Sequence, residues 1–311
     1  MQFIAIEIAM VVLFLLCLAH AIRSYETSKK RLILLVLAFI YAIIFENFNM
    51  LISKGNEGSY FYNPDFNLWI FNVPLFVALA WSTLLYTAIL LSDMLKLKTL
   101  AKPFMDSLHV IVIDMTLDIV AVRQGLWSWV GYSPSQGWFG VPADNFIGWL
   151  FVTFTFSFLF RYFTRAEDDM VNKATRTEYY FLTPVFAYLT MLVMFSLVNL
   201  AEDALKITKS EEIFIFWAIV ILFALMLRPP AKNDAKPAKP EGFTIFTILC
   251  VRLLFFSYIM WSFMFTKVYQ ESIMVVIILA FTIIAEVLIY HDAFGKVGGE
   301  LWPGEKEMEH F

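Results

Sequence analysis

Eight stretches of this chain read as membrane spans, near 3–22, 32–52, 70–91, 145–163, 179–200, 212–227, 243–264 and 272–290. A hydrocarbon layer about 30 Å thick offers the backbone no water, so each run can satisfy its own amides and carbonyls only as a helix. That restricts the 311 residues, 60% of them hydrophobic, to an all-α fold: a polytopic integral membrane helical bundle. A ninth candidate, Phe104 to Val122, carries Asp106, His109, Asp114 and Asp118 and is doubtful by hydropathy. As a helix it reaches about 28 Å, close to the hydrocarbon thickness.

Charge decides for the ninth span. With nine crossings, 17 Lys and Arg residues fall on one side and 5 on the other, and Arg252 lies within a span. Without it every later loop changes sides and the contrast collapses. The positive-inside tendency then puts the N-terminus outside and the C-terminus in the cytoplasm. The first helix has no small-residue cleavage site and reads as retained. The expectation is one transmembrane domain over 1–311, multi-pass in the cell (plasma) membrane. Its front half, 1–165, carries the polar groups; 166–311 reads as supporting helices with a cytoplasmic Lys/Pro/Ala linker at 229–241.

A carboxylate at mid-helix in a bilayer costs about 2.5–3.5 kcal/mol on insertion scales. Asp114 and Asp118 lie one turn apart on one face of the doubtful helix. With nine spans, Glu46, Asp114, Asp118, Asp144 and Asn145 all fall in the outer half of the membrane, under two aromatic loops, Gly58–Tyr62 and Trp127–Phe139. The acids either serve chemistry or act as interhelical glue with Ser, Thr or Asn. Asp144, just before an apolar run, also suits a helix N-cap. The tryptophans also suit interfacial anchoring. Glu286 and Arg252 suit a pair with each other or with headgroups, and Glu202-Asp203 and Glu211-Glu212 suit a solvated outer loop.

Other classes are poorly served. The net charge is −4 with no basic patch, which excludes nucleic acid as an expected partner. Cys17 and Cys250 lie in apolar runs as small hydrophobes. There is no GxGxxG, P-loop, HExxH or nucleophile elbow, and His109 lacks companions at metal-ligand spacing. No metal site is expected. What remains is carboxylate acid–base chemistry in an apolar, aromatic cavity.

The blocks Phe45-Glu46, Gly58-x-Tyr60-x-Tyr62, Val73-Pro74 with Ala80-Trp81, Asp114-x-x-x-Asp118, Gly125-x-Trp127-x-Trp129 and Phe139-Gly-Val-Pro142 with Asn145-Phe-x-Gly-Trp149 occur in that order. Over residues 40–165 the chain resembles the membrane carotenoid biosynthesis family that includes gamma-carotene hydratase and bisanhydrobacterioruberin hydratase. It departs from that pattern where Asp118 is followed by Ile119 in place of proline. The resemblance implies a cofactor-independent hydratase, a carbon–oxygen lyase that adds water to an isoprenoid double bond and leaves a tertiary alcohol.

The catalytic candidates are Asp114, Asp118 and Glu46, with Asp114 and Asp118 as the acid and water-positioning pair in unassigned order. Asn145, Asp144, Tyr60, Tyr62, Trp81, Trp127 and Trp129 are the candidates for substrate binding. The partners expected are an apolar isoprenoid drawn from the bilayer and membrane lipid. The substrate is open between a carotenoid with an acyclic end and a geranylgeranyl chain on an archaeal ether lipid. A composition of 15 Lys to 8 Arg without strong acidity argues against a salt-adapted protein, and so against the bacterioruberin reading. A proton-coupled amphiphile transporter is the alternative of another class, although no inverted repeat is visible.

Overall fold

The structure is a computed structural model that describes residues 2–23, 28–169, 176–209, 211–227 and 241–294. Most of the 229–241 linker, and with it Lys232, Lys236 and Lys239, lies outside the described residues, as do Lys296 and Lys306. The described helices are α1 (Gln2–Arg23), α2 (Ser28–Ser53), α3 (Leu75–Met94), α4 (Lys102–Arg123), α5 (Ala143–Asp169), α6 (Arg176–Leu205), α7 (Glu212–Leu225), α8 (Gly242–Thr266) and α9 (Ile273–Phe294). The chain is an all-α membrane bundle in which seven described helices are long and apolar enough to span a bilayer.

The two helices outside that set differ. α7 has 14 residues and reaches only about 21 Å. α4 has the length but not the hydropathy, and its surroundings explain why. It packs against α3, α5, α7, α8 and α9, and its residues from Met105 to Ala121 are buried apart from Leu108. A helix shielded from lipid has no need of an apolar outer face, so hydropathy undervalues it.

Two short antiparallel pairs interrupt the helices. β1 (Tyr60–Tyr62) pairs with β4 (Trp127–Trp129), opposing Tyr60 to Trp129 and Tyr62 to Trp127. β2 (Trp69–Ile70) pairs with β3 (Val73–Pro74), so the third helix starts at Leu75 and not at 70. Pro74 holds the N-cap position there, where its missing N–H costs nothing. Chain reversal into β4 uses a Schellman turn. Leu126 N–H donates to Ala121 O and Gly125 N–H to Val122 O, both at 3.0 Å, with Gly125 at φ +70°. Glu7 of α1 fastens the loop before β2 by accepting from the Asn67 and Leu68 amides and from Asn67 Nδ2.

Buried polar networks join the helices. Arg252 of α8 forks onto Glu286 of α9 at 2.6 and 2.7 Å and donates to His109 O of α4. His109 Nε2 lies 3.3 Å from Glu286. The pairing expected for Arg252 and Glu286 is thus internal, and His109 belongs to it. Elsewhere Arg161 of α5 reaches Asp93 at 2.5 Å and Asp106 at 3.3 Å, joining α3, α4 and α5. Glu212 corrects the expectation of a solvated acidic loop. It is 3% exposed and holds Lys209 at 2.7 Å, because α6 extends to Leu205 and brings the short connection down onto the bundle.

Removing one partner of a buried pair strands the other charge, which costs about 3–5 kcal/mol. Glu286→Ala should therefore lower the thermal unfolding temperature of detergent-purified protein markedly. The double variant Arg252→Met, Glu286→Leu should recover most of the loss in the same assay.

Candidate active site

The helices run alternately up and down, and the cavity records it. The cavity is lined by the first halves of α1, α3 and α5 and the last halves of α2, α4, α6 and α8. It holds about 1100 Å³, above the range of about 300–1,000 Å³ usual for small-molecule sites. Its walls are mostly aromatic and aliphatic, and the charged side chains among its lining residues are all acidic: Glu46, Asp118 and Asp144.

Asp118 faces this cavity, and Asp114 lies one turn deeper along α4, fully buried. Asn145 of α5 bridges them: its Nδ2 donates to Asp114 Oδ2 at 3.2 Å and makes a short hydrogen bond to Asp118 Oδ2. Asp114 Oδ1 has no hydrogen-bond partner among the described residues. Two carboxyl groups this close, sharing one amide and facing no cation, are set up to hold a proton between them.

Glu46 is arranged differently. Its Oε1 accepts from Trp81 Nε1 at 2.7 Å, and its Oε2 accepts from the Tyr60 and Tyr62 hydroxyls at 2.5 and 2.9 Å. Three donors converge on this one buried carboxyl group and satisfy both of its oxygens. Burial, and then the Glu46 charge beside them, push both phenols of the β1 strand well above the ordinary tyrosine range, so they stay donors. The site thus has two unlike acidic poles: a carboxyl pair with few donors and a carboxylate with many.

Aromatic rings complete the wall. Trp81 packs on Trp149 with ring centroids 4.1 Å apart and meets Phe45 edge-on at 5.0 Å. Tyr60 packs on Trp129, and Tyr62 on Trp127, across the β1–β4 ladder. The loop that follows β4 is tied down by Trp138 Nε1 donating to Met115 O at 3.2 Å. That loop folds back at Gly137, where a side chain would run into the Val141 carbonyl.

Nine of the ten candidate residues line the cavity: Glu46, Asp118, Asn145, Asp144, Tyr60, Tyr62, Trp81, Trp127 and Trp129. Asp114 stands behind Asp118. Asp144 is at the rim, half exposed and 3.7 Å from Lys209. It is not the N-cap of α5. The helix begins one residue earlier, at Ala143, and Asp144 lies in its first turn, where a negative charge suits the helix dipole. Several lining residues were not singled out from the sequence, among them Asn49, Tyr258 and Trp261. Trp149, which closes the Asn145-Phe-x-Gly-Trp149 block and suits either an anchor or a wall, is not among the ten candidates, although its i+4 spacing from Asn145 puts both on one face of α5.

A family model described as carotenoid biosynthesis protein matches residues 6–223, which contain all ten of these residues. The chain belongs to the carotenoid biosynthesis protein family. The match ends within α7, so α8 and α9 lie beyond it although α8 lines the cavity. No curated protein and no solved structure matches the chain.

The tyrosine hydroxyls on Glu46 should hold β1, and through it β4, against the bundle. A hydrogen bond to a charged group contributes about 1.5–3 kcal/mol. In the Tyr60→Phe, Tyr62→Phe double variant, amide hydrogen exchange across β1 and β4 should accelerate roughly tenfold or more. Exchange in α4 should be unchanged.

Proposed function

We propose that this carotenoid biosynthesis protein is a hydratase that adds water across a trisubstituted double bond at the acyclic end of a carotenoid. One observation carries the reading: the Asn145-bridged pair Asp114 and Asp118 at the wall of a large aromatic cavity. Such a site can protonate carbon, hold a tertiary cation and take up the proton that the captured water releases.

The reaction balances without a cofactor. The pair's proton passes from Asp118, the member facing the cavity, to the less substituted alkene carbon. The positive charge develops on the tertiary carbon. Glu46 and the faces of Trp81, Trp127 and Trp129 oppose that charge, each ring contributing about 0.5–2 kcal/mol. A water oxygen bonds to the cation, and its surplus proton returns to the Asp114–Asp118 pair. The net change is one water gained, with the acid pair restored. Glu46, saturated by three donors, acts as a fixed negative charge and holds the phenols that orient the water; it is not the proton source.

The lining supports a carotenoid over an ether lipid. A phosphate-bearing headgroup calls for Lys or Arg, and the charged residues that line the cavity are acidic. The charge asymmetry of the sequence supports placing the site in the outer leaflet of the plasma membrane.

The test is extraction of pigment from a carotenoid-producing host with and without the protein, followed by mass spectrometry. The expected product has gained one water, and growth in 18O-labelled water should place the label in a tertiary hydroxyl. The double variant Asp114→Asn, Asp118→Asn should accumulate in the membrane and yield no product. Glu46→Gln should reduce turnover roughly 100-fold or more, as loss of one electrostatic stabiliser does elsewhere. Product from the double variant would overturn the assignment. Gradient-dependent uptake of the pigment into vesicles, with no change in mass, would replace the hydratase with a transporter.

A further inference from the structure

The cavity does not end at the catalytic pair. At one end its lining passes onto the outer surface of the bundle between α1 and α8, where Ala5, Ala9, Trp261 and Phe265 border it. Trp261 is 49% and Phe265 63% exposed, as rings on the outside of a membrane bundle would be. The same two helices are pinned together at their far ends. There His20 Nε2 lies 2.9 Å from Thr244 Oγ1, and the Arg23 guanidinium stacks 5.1 Å from the Phe243 ring centre. The alanines thus fall where α1 and α8 flank the cavity, and their small side chains leave its wall thin. Elsewhere the lining includes Asn49 and Ser53 of α2 and Ser196 and Asn199 of α6, a polar stretch that also has the Asp144 carboxyl group of α5 at the rim.

We propose that the α1–α8 gap is a lateral portal through which the unreacted length of the polyene lies in the bilayer while one end group sits at Asp118. The inference rests on the isoprenoid-hydration reading. Three features support it. The gap is apolar and aromatic, and it faces the membrane. The cavity extends from it to Asp118. The lining also has a polar stretch at Asn49, Ser53, Ser196 and Asn199, which suits an end group that has acquired a hydroxyl and not an alkyl chain. It follows that α8, beyond the matched segment, sets how long and how rigid a substrate the protein accepts. A chain held this way presents one end at a time, so a symmetric polyene must leave and rebind to react at its second end.

Selectivity tests this directly. Reconstituted protein is offered a full-length carotenoid and a short isoprenoid with the same end group. Ala9→Trp narrows the portal and should lower turnover of the long substrate at least ~10-fold relative to the short one, the scale on which steric pockets discriminate. Phe265→Ala, on the lipid-exposed face and so without effect on folding, should raise relative turnover of a carotenoid whose far end carries a bulky ring. Unchanged ratios in both variants would overturn the portal. A second readout separates this from the chemistry. A polyene with saturated ends, which cannot be hydrated, should quench tryptophan fluorescence in nanodiscs, and Trp261→Phe should remove part of that quenching. Trp261-dependent quenching without hydration of any substrate would retain the portal and reject the hydratase. Hydration with quenching independent of Trp261 would do the reverse.

Discussion

Carboxyl groups inside a bilayer need hydrogen-bond donors from the protein, because the hydrocarbon supplies none. Most of the architecture can be read as the supply of those donors to α4 and its neighbours. Asn145 of α5 serves Asp114 and Asp118, while Trp81 of α3 and the β1 tyrosines serve Glu46. Five helices surround α4. In a membrane, helices gain little from hiding apolar faces from one another, so packing and polar contacts of this kind carry much of the association. The residues that form the site are therefore also among those that hold it together.

The polar networks divide the bundle lengthwise. At the site end, carboxyls face a cavity and have few cations near them. Towards the other end, the cations are taken up: Arg252 by Glu286, Arg161 by Asp93 and Asp106, and Lys102 by Asp93. Neutralised pairs there fix helix positions without competing for the site's acids. Segregation of this kind lets one end stay rigid while the other keeps carboxyl groups that have no cation paired with them among the described residues.

Much of this was legible in the sequence, and for identifiable reasons. The apolar runs predict most helix bounds to within a few residues, because lipid-facing helices must be apolar along their length. α4 was recoverable only through charge alternation, since its burial by protein removes the hydropathy signal. Asp114, Asp118 and Asn145 were legible because polar groups in a bilayer are few. The β1–β4 ladder was less so, although Tyr60-x-Tyr62 and Trp127-x-Trp129 both have the period of two that a strand shows. The contribution of α8 left no local trace: Tyr258, Trp261 and Phe265 look like any aromatic residues on a lipid-facing helix. Only tertiary packing, including the Tyr258–Gln124 and Gln124–Ser262 hydrogen bonds, sets α8 against the cavity.

The cover over the site is laced by backbone hydrogen bonds between β1 and β4, and those bonds do not depend on which side chains hang beneath them. The rings of Trp127 and Trp129, which project from the ladder without anchoring it to Glu46, can change in size or shape while the cover stays shut. A fold with this division can drift from one guest to another by exchanging interior rings one at a time, with each intermediate still covered by the same ladder. Variation in substrate among such proteins would then concentrate in the linings of the lid and α8, and spare the glycine-initiated turn at Gly125 that brings the two strands together.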